Sequence, residues 1–229
     1  MIHTVLFDLD NTLLDFNKAE RIALSKALRR LGIEPDEGIC RRYSELNLAQ
    51  WKLLEQGRLT RPQVKIRRFE LLFAELGIDC SAETAAGIYE AQLAVGHYYI
   101  DGAQTLLETL SKTRRLYLVT NGTASVQRSR IESAGLQRYF QDFFISEEIG
   151  FDKPHREFFT YCFARIPDFR RREAVLIGDS LTSDIQGGKN AGLCTVWFNP
   201  LHQPGNADIL PDYAIDRLQD LEALLAGLD

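Results

Sequence analysis

The chain has 229 residues, 45% of them hydrophobic and 26% charged, enough apolar material for one substantial core or two modest ones. A formal net charge of −5 excludes a general attraction to nucleic acid or to an anionic membrane surface, and no apolar window approaches the roughly 20 residues that span a bilayer. Cys40, Cys80, Cys162 and Cys194 lie far apart with no CxxC pair, which suits reduced thiols better than a disulfide framework or a zinc site.

Met1-Ile2-His3-Thr4 runs straight into a strand-like segment with no basic stretch before a long apolar one, so no signal peptide is expected and the cytoplasm is the expected location. Thr4-Val5-Leu6-Phe7 is a short apolar run closed abruptly by Asp8-Leu9-Asp10-Asn11, the pattern of a strand buried on both faces. Residues 15–100 then contain no convincing strand. Leu24, Leu28 and Leu31 share one helical face, as do Phe69, Leu72, Phe73 and Leu76, and Gly32, Gly57, Pro62 and Gly77 punctuate the region. A parallel crossover needs only about a dozen residues, so this stretch reads as an inserted helical domain.

Strands resume with Leu116-Tyr117-Leu118-Val119, which ends at Thr120-Asn121-Gly122, followed by a helix over Ala124–Ala134. Lys153 stands in a loop before a helix that begins near Arg156. Ala174-Val175-Leu176-Ile177 ends at Gly178-Asp179, a helix follows from Leu181 to Asn190 with Gly192 as its C-cap, and Thr195-Val196-Trp197-Phe198 forms a fourth strand. Strands alternating with helices predict an α/β fold with a mainly parallel sheet.

The suspicious polar residues all sit where these buried strands stop, which is where ligands bind in open parallel sheets. Asp8 and Asp10 end the first strand and, as i and i+2, share a face. Thr120 ends the second and Asp179 another, with Asp184 in the first turn of the next helix. Taken singly, each residue has a plainer reading: Asp10 as a turn residue, Thr120 as a β-branched strand residue, Lys153 as a surface charge, Asp179 and Asp184 as helix caps. Together, in order and all at strand ends, they read as a site.

Four gathered carboxylates resist joint ionisation, and a divalent cation relieves them. Mg²⁺ prefers carboxylate, carbonyl and water oxygens. Lys153 adds positive charge, the Thr120 hydroxyl can donate to a phosphoryl oxygen, and backbone N–H groups near Gly122 and Thr123 open a helix toward an anion. Phosphate transfer has work for two unequal carboxylates. One attacks phosphorus, and the other protonates the departing alkoxide and later takes a proton from water. Asp8 held on the metal stays ionised, whereas Asp10, further from it, can carry a proton.

These motifs, Asp8-Leu9-Asp10-Asn11-Thr12, Thr120-Asn121-Gly122, Lys153-Pro154 and Gly178-Asp179-Ser180 with Asp184, resemble those of the haloacid dehalogenase-type hydrolases that carry a helical cap after the first motif. The resemblance covers nearly the whole chain. It implies a Rossmann-like core of residues 1–14 and 101–229 and a cap of residues 15–100. It also implies that Asp8 is the nucleophile, that Asp10 is the acid and base, and that Thr120 and Lys153 hold the phosphate. Mg²⁺ is then bound by the Asp8 carboxylate, the Asp10 backbone carbonyl and Asp179, with Asp184 supporting it directly or through water. The true dehalogenases of the family work without magnesium and lack the second aspartate, and its phosphonate hydrolases replace it. Sugar phosphomutase relatives keep both aspartates, but Thr12 is more similar to a phosphatase feature.

The cap segment Trp51, Gly57-Arg58-Leu59-Thr60, Gln63 and Arg68-Phe69, together with Asn121-Gly122 and Ile145-Ser146-Glu147-Glu148-Ile149-Gly150, resembles the pyrimidine 5′-nucleotidase branch. That implies a small phosphorylated metabolite, a nucleoside monophosphate, as substrate; a monomer or homodimer is expected. Asn11, Thr12, Asn121, Gly122, Phe16 and Trp51 are the expected substrate-binding residues. Phe69, Tyr98 and Tyr99 could also offer a flat surface to a base, although aromatics at helical spacing more often fill a core. His155-Arg156 follows Lys153-Pro154 where many relatives have a further proline two residues on. A sugar-phosphate or phosphoglycolate phosphatase, or a phosphosugar mutase, is the alternative on the same scaffold. A phospho-aspartate receiver is a third reading, against which the helical insert and the DxD ending of the first strand argue.

Overall fold

The computed structural model describes residues 1–228, and the chain divides into two compact units, Met1–Asp15 with His97–Asp229 and Phe16–Gly96. The first unit is built on six parallel strands: β1 (Thr4–Phe7), β2 (Arg115–Thr120), β3 (Asp142–Ile145), β4 (Ala174–Gly178), β5 (Cys194–Phe198) and β6 (Tyr213–Ile215), in the order β3-β2-β1-β4-β5-β6. β1 lies in the interior, and strand order reverses beside it. Phe7 is level with Leu118 of β2 and Ile177 of β4, so the next residues of all three strands emerge at one edge of the sheet.

Alternation along each strand buries both faces. Val5, Phe7, Leu116, Leu118, Val175 and Ile177 join one apolar cluster, and Leu6, Tyr117, Val119 and Leu176 join another on the opposite face.

The four helices of the second unit are α1 (Phe16–Arg30), α2 (Glu37–Glu55), α3 (Arg61–Leu76) and α4 (Ala82–Leu93). Those of the first unit are α5 (Ala103–Leu110), α6 (Ala124–Ser133), α7 (Ser146–Ile149), α8 (Arg156–Arg165), α9 (Gln186–Ala191) and α10 (Asp220–Leu228). Leu107, Ile131 and Leu221 cover one sheet face and Phe158, Phe159 and Ala191 the other. Among the described residues no helix is long and apolar enough to cross a membrane.

Two strands escape a sequence reading. β3 is short and follows the aromatic pair Tyr139-Phe140, which blurs where the strand begins. β6 has three residues, two of them exposed, and so carries no apolar run. The helix expected over Leu181–Asn190 opens as a π-helical turn, Leu181–Ile185, before α9, and Gly192 closes it at φ +71°. Leu31 lies just past α1 and Leu76 is 40% exposed, so each belongs to its helical face less well than the spacing suggested.

In the second unit the sequence starts and stops its own helices. The Asp36 carboxylate accepts from the Ile39 amide at the start of α2, and Thr60 and Gln63 form a reciprocal capping box on α3. The core of this unit combines leucines and alanines with an aromatic cluster. Tyr43, Phe69 and Tyr89 are fully buried, with ring centroids 5.0, 5.4 and 5.7 Å apart. Phe69 is therefore a packing residue, not a platform for a base. Phe69→Ala is expected to lower the unfolding free energy by about 3–5 kcal/mol and Phe69→Leu by much less, as read by urea denaturation. A Phe69→Ala protein of unchanged stability would contradict this placement.

Candidate active site

The Asp8 amide still donates to the Ile177 carbonyl at 2.9 Å, so the sheet ladder carries Asp8 to the edge and fixes its backbone. The chain then turns back on itself, with Leu13 and Leu14 both donating to the Leu9 carbonyl. Asn11 occupies the left-handed region at φ +58°, a conformation asparagine tolerates better than most side chains. The turn returns Thr12 to the site, where its hydroxyl donates to Asp8 Oδ2 at 3.2 Å. Thr12 is fully buried.

Lys153 is the hub. Its buried ammonium donates to Asp8 Oδ1 at 2.7 Å, Asp184 Oδ1 at 2.6 Å and the Val119 carbonyl at 2.8 Å, which uses all three of its protons. A two-way amide clamp delivers this side chain. Asn121 Nδ2 donates to the Lys153 carbonyl at 2.8 Å, and its Oδ1 accepts from the Lys153 amide at 2.9 Å. The Lys153-Pro154 peptide is cis. Asn121, expected to touch substrate, instead has its amide committed to the lysine loop.

Asp184 is anchored from the other side by the Ser180 amide, 3.0 Å from Oδ2. A Cβ at Gly178 would come within 2.3 Å of the Asp184 carboxyl carbon, so only glycine lets this carboxylate lie against the end of β4. The Trp197 indole N–H donates to the Asp179 carbonyl at 2.8 Å.

The structure thus brings Asp8, Asp179 and Asp184 together, with one carboxylate oxygen from each within 4.8 Å of the others. An all-oxygen donor set of this size fits Mg²⁺. The electrostatics agree. Burial, partly offset by Lys153 and reinforced by Asp184 and Asp10, pushes the Asp8 carboxyl up to about 7. Burial followed by the charges of Asp8 and Asp184 raises Asp179 well above the usual carboxylate range. Burial works against the Lys153 charge, but Asp184 and Asp8 outweigh it and raise the ammonium. One lysine leaves the three carboxylates undercompensated, and a divalent cation would complete the balance.

Asp10 is differently placed. Its carboxylate lies outside the three-carboxylate group and faces α6, where Arg130 pairs with Oδ1 and Gln127 Nε2 donates to Oδ2 at 2.8 Å. The same Gln127 nitrogen donates to Thr120 Oγ1 at 2.8 Å. Thr120 is fully buried. Gln127 and Arg130 carry no strand-end signal and were not legible as site residues. The one pointer was their i, i+3 spacing on the helix after the second motif.

A Cβ at Gly122 would meet Gln127 Cγ at 2.7 Å, so this glycine makes room for Gln127. At the start of α6, the Ala124 amide already has the Glu147 carboxylate at 2.6 Å. Phe16 and Trp51 belong to the second unit and are half-buried, with the Arg61 guanidinium 5.6 Å from the Trp51 ring centre. Tyr98 and Tyr99 belong to the first unit, and the Tyr99 hydroxyl donates to the Ala134 carbonyl at 2.7 Å, which makes Tyr99 a structural tie.

The haloacid dehalogenase-like hydrolase family model matches residues 5–198. The chain belongs to this family. It is 40% identical over 222 residues to the HAD-hydrolase YfnB of Bacillus subtilis, covering 97% of this chain and 94% of YfnB. A crystal structure of YfnB bound to magnesium superposes with a TM-score of 0.94 over 98% of both chains. The pyrimidine 5′-nucleotidase PynA of Streptococcus pneumoniae is 37% identical, covering 95% of this chain and 92% of PynA. A glyceraldehyde 3-phosphate phosphatase of Methanopyrus kandleri is 31% identical, covering 96% of each chain. Within the haloacid dehalogenase-like fold, the aspartates of the first and last motifs converge here at the edge of the sheet beside β1.

A pH-dependent response to metal follows. Without metal, folded Asp8 keeps its proton up to about pH 7, whereas an unfolded aspartate loses it near about pH 4. The stability contributed by this group is full below the lower value and is lost as pH rises through the higher one. Mg²⁺ requires the ionised carboxylates. It is expected to raise the melting temperature more at about pH 8 than at about pH 6, as measured by thermal denaturation with and without the ion. A larger shift at the lower pH would overturn the assignment of these carboxylates as its ligands.

Proposed function

We propose that this protein is a Mg²⁺-dependent phosphomonoesterase that works through an aspartyl phosphate on Asp8, and that its substrate is a nucleoside 5′-monophosphate. The observation that carries the chemistry is the buried Asp8–Lys153–Asp184 ion pair system, with bonds of 2.7 and 2.6 Å, set beside a second aspartate in a different environment. The Mg²⁺-bound YfnB structure supports the cofactor.

The Asp8 carboxylate is oriented by Lys153 on one oxygen and Thr12 on the other, so it meets an incoming phosphorus atom with little freedom left to lose. Asp8 forms a bond to phosphorus as the ester P–O bond breaks, and Asp10 passes a proton to the departing oxygen. A water molecule then attacks the acyl phosphate and gives its proton to Asp10, which releases inorganic phosphate and restores Asp8. The Thr120 hydroxyl faces the phosphoryl oxygens through both steps, and the Lys153 ammonium, whose protons go to Asp8, Asp184 and the Val119 carbonyl, offsets their charge. Mg²⁺ held by Asp8, Asp179, Asp184 and the Asp10 carbonyl would neutralise phosphoryl charge. The Asp10 side chain keeps 24% of its surface exposed, which leaves it a route for proton exchange.

The nucleotide assignment is supported by PynA and by the cap residues that resemble its branch. A sugar-phosphate substrate is the second reading, favoured by the glyceraldehyde 3-phosphate phosphatase relative.

Asp8→Asn is expected to abolish Mg²⁺-dependent turnover of p-nitrophenyl phosphate while the thermal transition remains cooperative. Normal activity in that variant refutes the nucleophile. A panel of nucleotides, sugar phosphates and phosphoglycolate ranked by kcat/KM is expected to place a pyrimidine nucleoside monophosphate first. If sugar phosphates lead by a wide margin, the nucleotide assignment fails and the phosphatase chemistry stands.

A further inference from the structure

The reaction outlined above needs Asp10 but does not say what holds it, and α6 contains side chains placed to do so. Arg130 has a fully buried side chain and pairs with Asp10 Oδ1. The same Nη1 donates to Gln127 Oε1 at 3.0 Å. A guanidinium can only donate, so the Gln127 oxygen faces Arg130 and its nitrogen faces Asp10 Oδ2 and Thr120 Oγ1, each at 2.8 Å. Burying a guanidinium is costly without a partner, and here the charged partner is Asp10. Gly122 offers a second, independent sign. A Cβ there would crowd the Gln127 side chain at three atoms, all within 2.8 Å, so the backbone has been kept bare for that amide to pass.

We propose that Gln127 and Arg130 are positioning residues for the acid/base step, holding the Asp10 carboxylate at the leaving-group oxygen and tying it to the phosphate-facing hydroxyl of Thr120. The inference rests on the reading of Asp10 as acid and base. Arg130 fixes one carboxylate oxygen. Gln127 steadies the other with a single N–H, and a carboxyl oxygen with two lone pairs can accept that bond while it still exchanges a proton. The second N–H of Gln127 enters Thr120 Oγ1, so the threonine proton points elsewhere and is available to a phosphoryl oxygen. One amide therefore aligns the proton donor for the leaving group and the donor for the phosphoryl group.

Leaving-group dependence tests this. p-Nitrophenolate departs without a proton, whereas the alkoxide of a nucleoside monophosphate needs one. kcat/KM is measured for Arg130→Met, Arg130→Lys, Gln127→Leu and Asp10→Asn on p-nitrophenyl phosphate and on deoxyuridine 5′-monophosphate, or on whichever alkyl phosphate heads the substrate panel. Arg130→Met and Gln127→Leu are expected to lose on the order of 100-fold on the alkyl ester and less than about 10-fold on the aryl ester. Arg130→Lys is expected to recover part of that loss.

A merely structural role would lower both substrates by the same factor. Equal losses, or none, in Arg130→Met and Gln127→Leu while Asp10→Asn discriminates between the esters overturn the inference alone. If Asp10→Asn itself fails to discriminate, the acid assignment falls and the inference with it. Should Arg130→Met lose its cooperative thermal transition, Gln127→Leu and Arg130→Lys decide by the same criterion.

Discussion

Burying like charges at the end of a parallel sheet is the constraint around which this molecule is arranged. Asp8, Asp179 and Asp184 meet where β1 and β4 stop, and water is largely excluded from two of them. Lys153 makes that tolerable, because a buried ion pair survives only when every proton and lone pair finds a partner. The supporting contacts follow from this need. Asn121 clamps the lysine backbone, the Val119 carbonyl takes the third ammonium proton, and Gly178 yields space to the Asp184 carboxylate. Each of these residues serves the charge balance first and the ligand through it.

The same logic separates two aspartates that lie only two positions apart. Asp8 points into the lysine and carboxylate group, where burial raises its proton affinity and a cation must restore its charge. Asp10 points to α6, where a buried arginine and a glutamine amide receive it. Chemically identical side chains thereby acquire different surroundings, the usual basis on which one carboxylate becomes a nucleophile and another a proton carrier. Helix α6 thus contributes more than cover for the sheet, because it supplies the partners of the second aspartate.

The helical unit solves a different problem. Its core contains a cluster of tyrosine and phenylalanine rings among leucines and alanines, with the Arg68 guanidinium 4.7 Å from the centre of the Tyr89 ring. Arg68 also donates to Asn47 at 2.9 Å, and Asn47 donates to Glu20 at 2.6 Å. Such a chain of buried polar contacts links α1, α2 and α3 in one register, because a slip of either partner would leave a charge unpaired. Of the aromatic residues of this unit that look available to a base, Phe69 is held in that core, whereas Phe16 and Trp51 are half-buried.

By itself the sequence determined what is local. Short apolar runs marked β1, β2, β4 and β5, the polar residues closing β1, β2 and β4 pointed to Asp8, Thr120, Asp179 and Asp184, and Lys153 joined them from a loop. Those features are readable because strand burial and turn chemistry depend on neighbouring residues. β3 and β6 were not readable, since one is blurred by adjacent aromatics and the other is a half-exposed edge that needs no apolar run. Only the tertiary structure decided that Asp10 turns to Arg130 and Gln127, that Asn121 serves Lys153, and that Phe69 is core. Each of those outcomes depends on which residues distant in the chain come within hydrogen-bond or contact range, a matter of strand order and packing that no local pattern encodes.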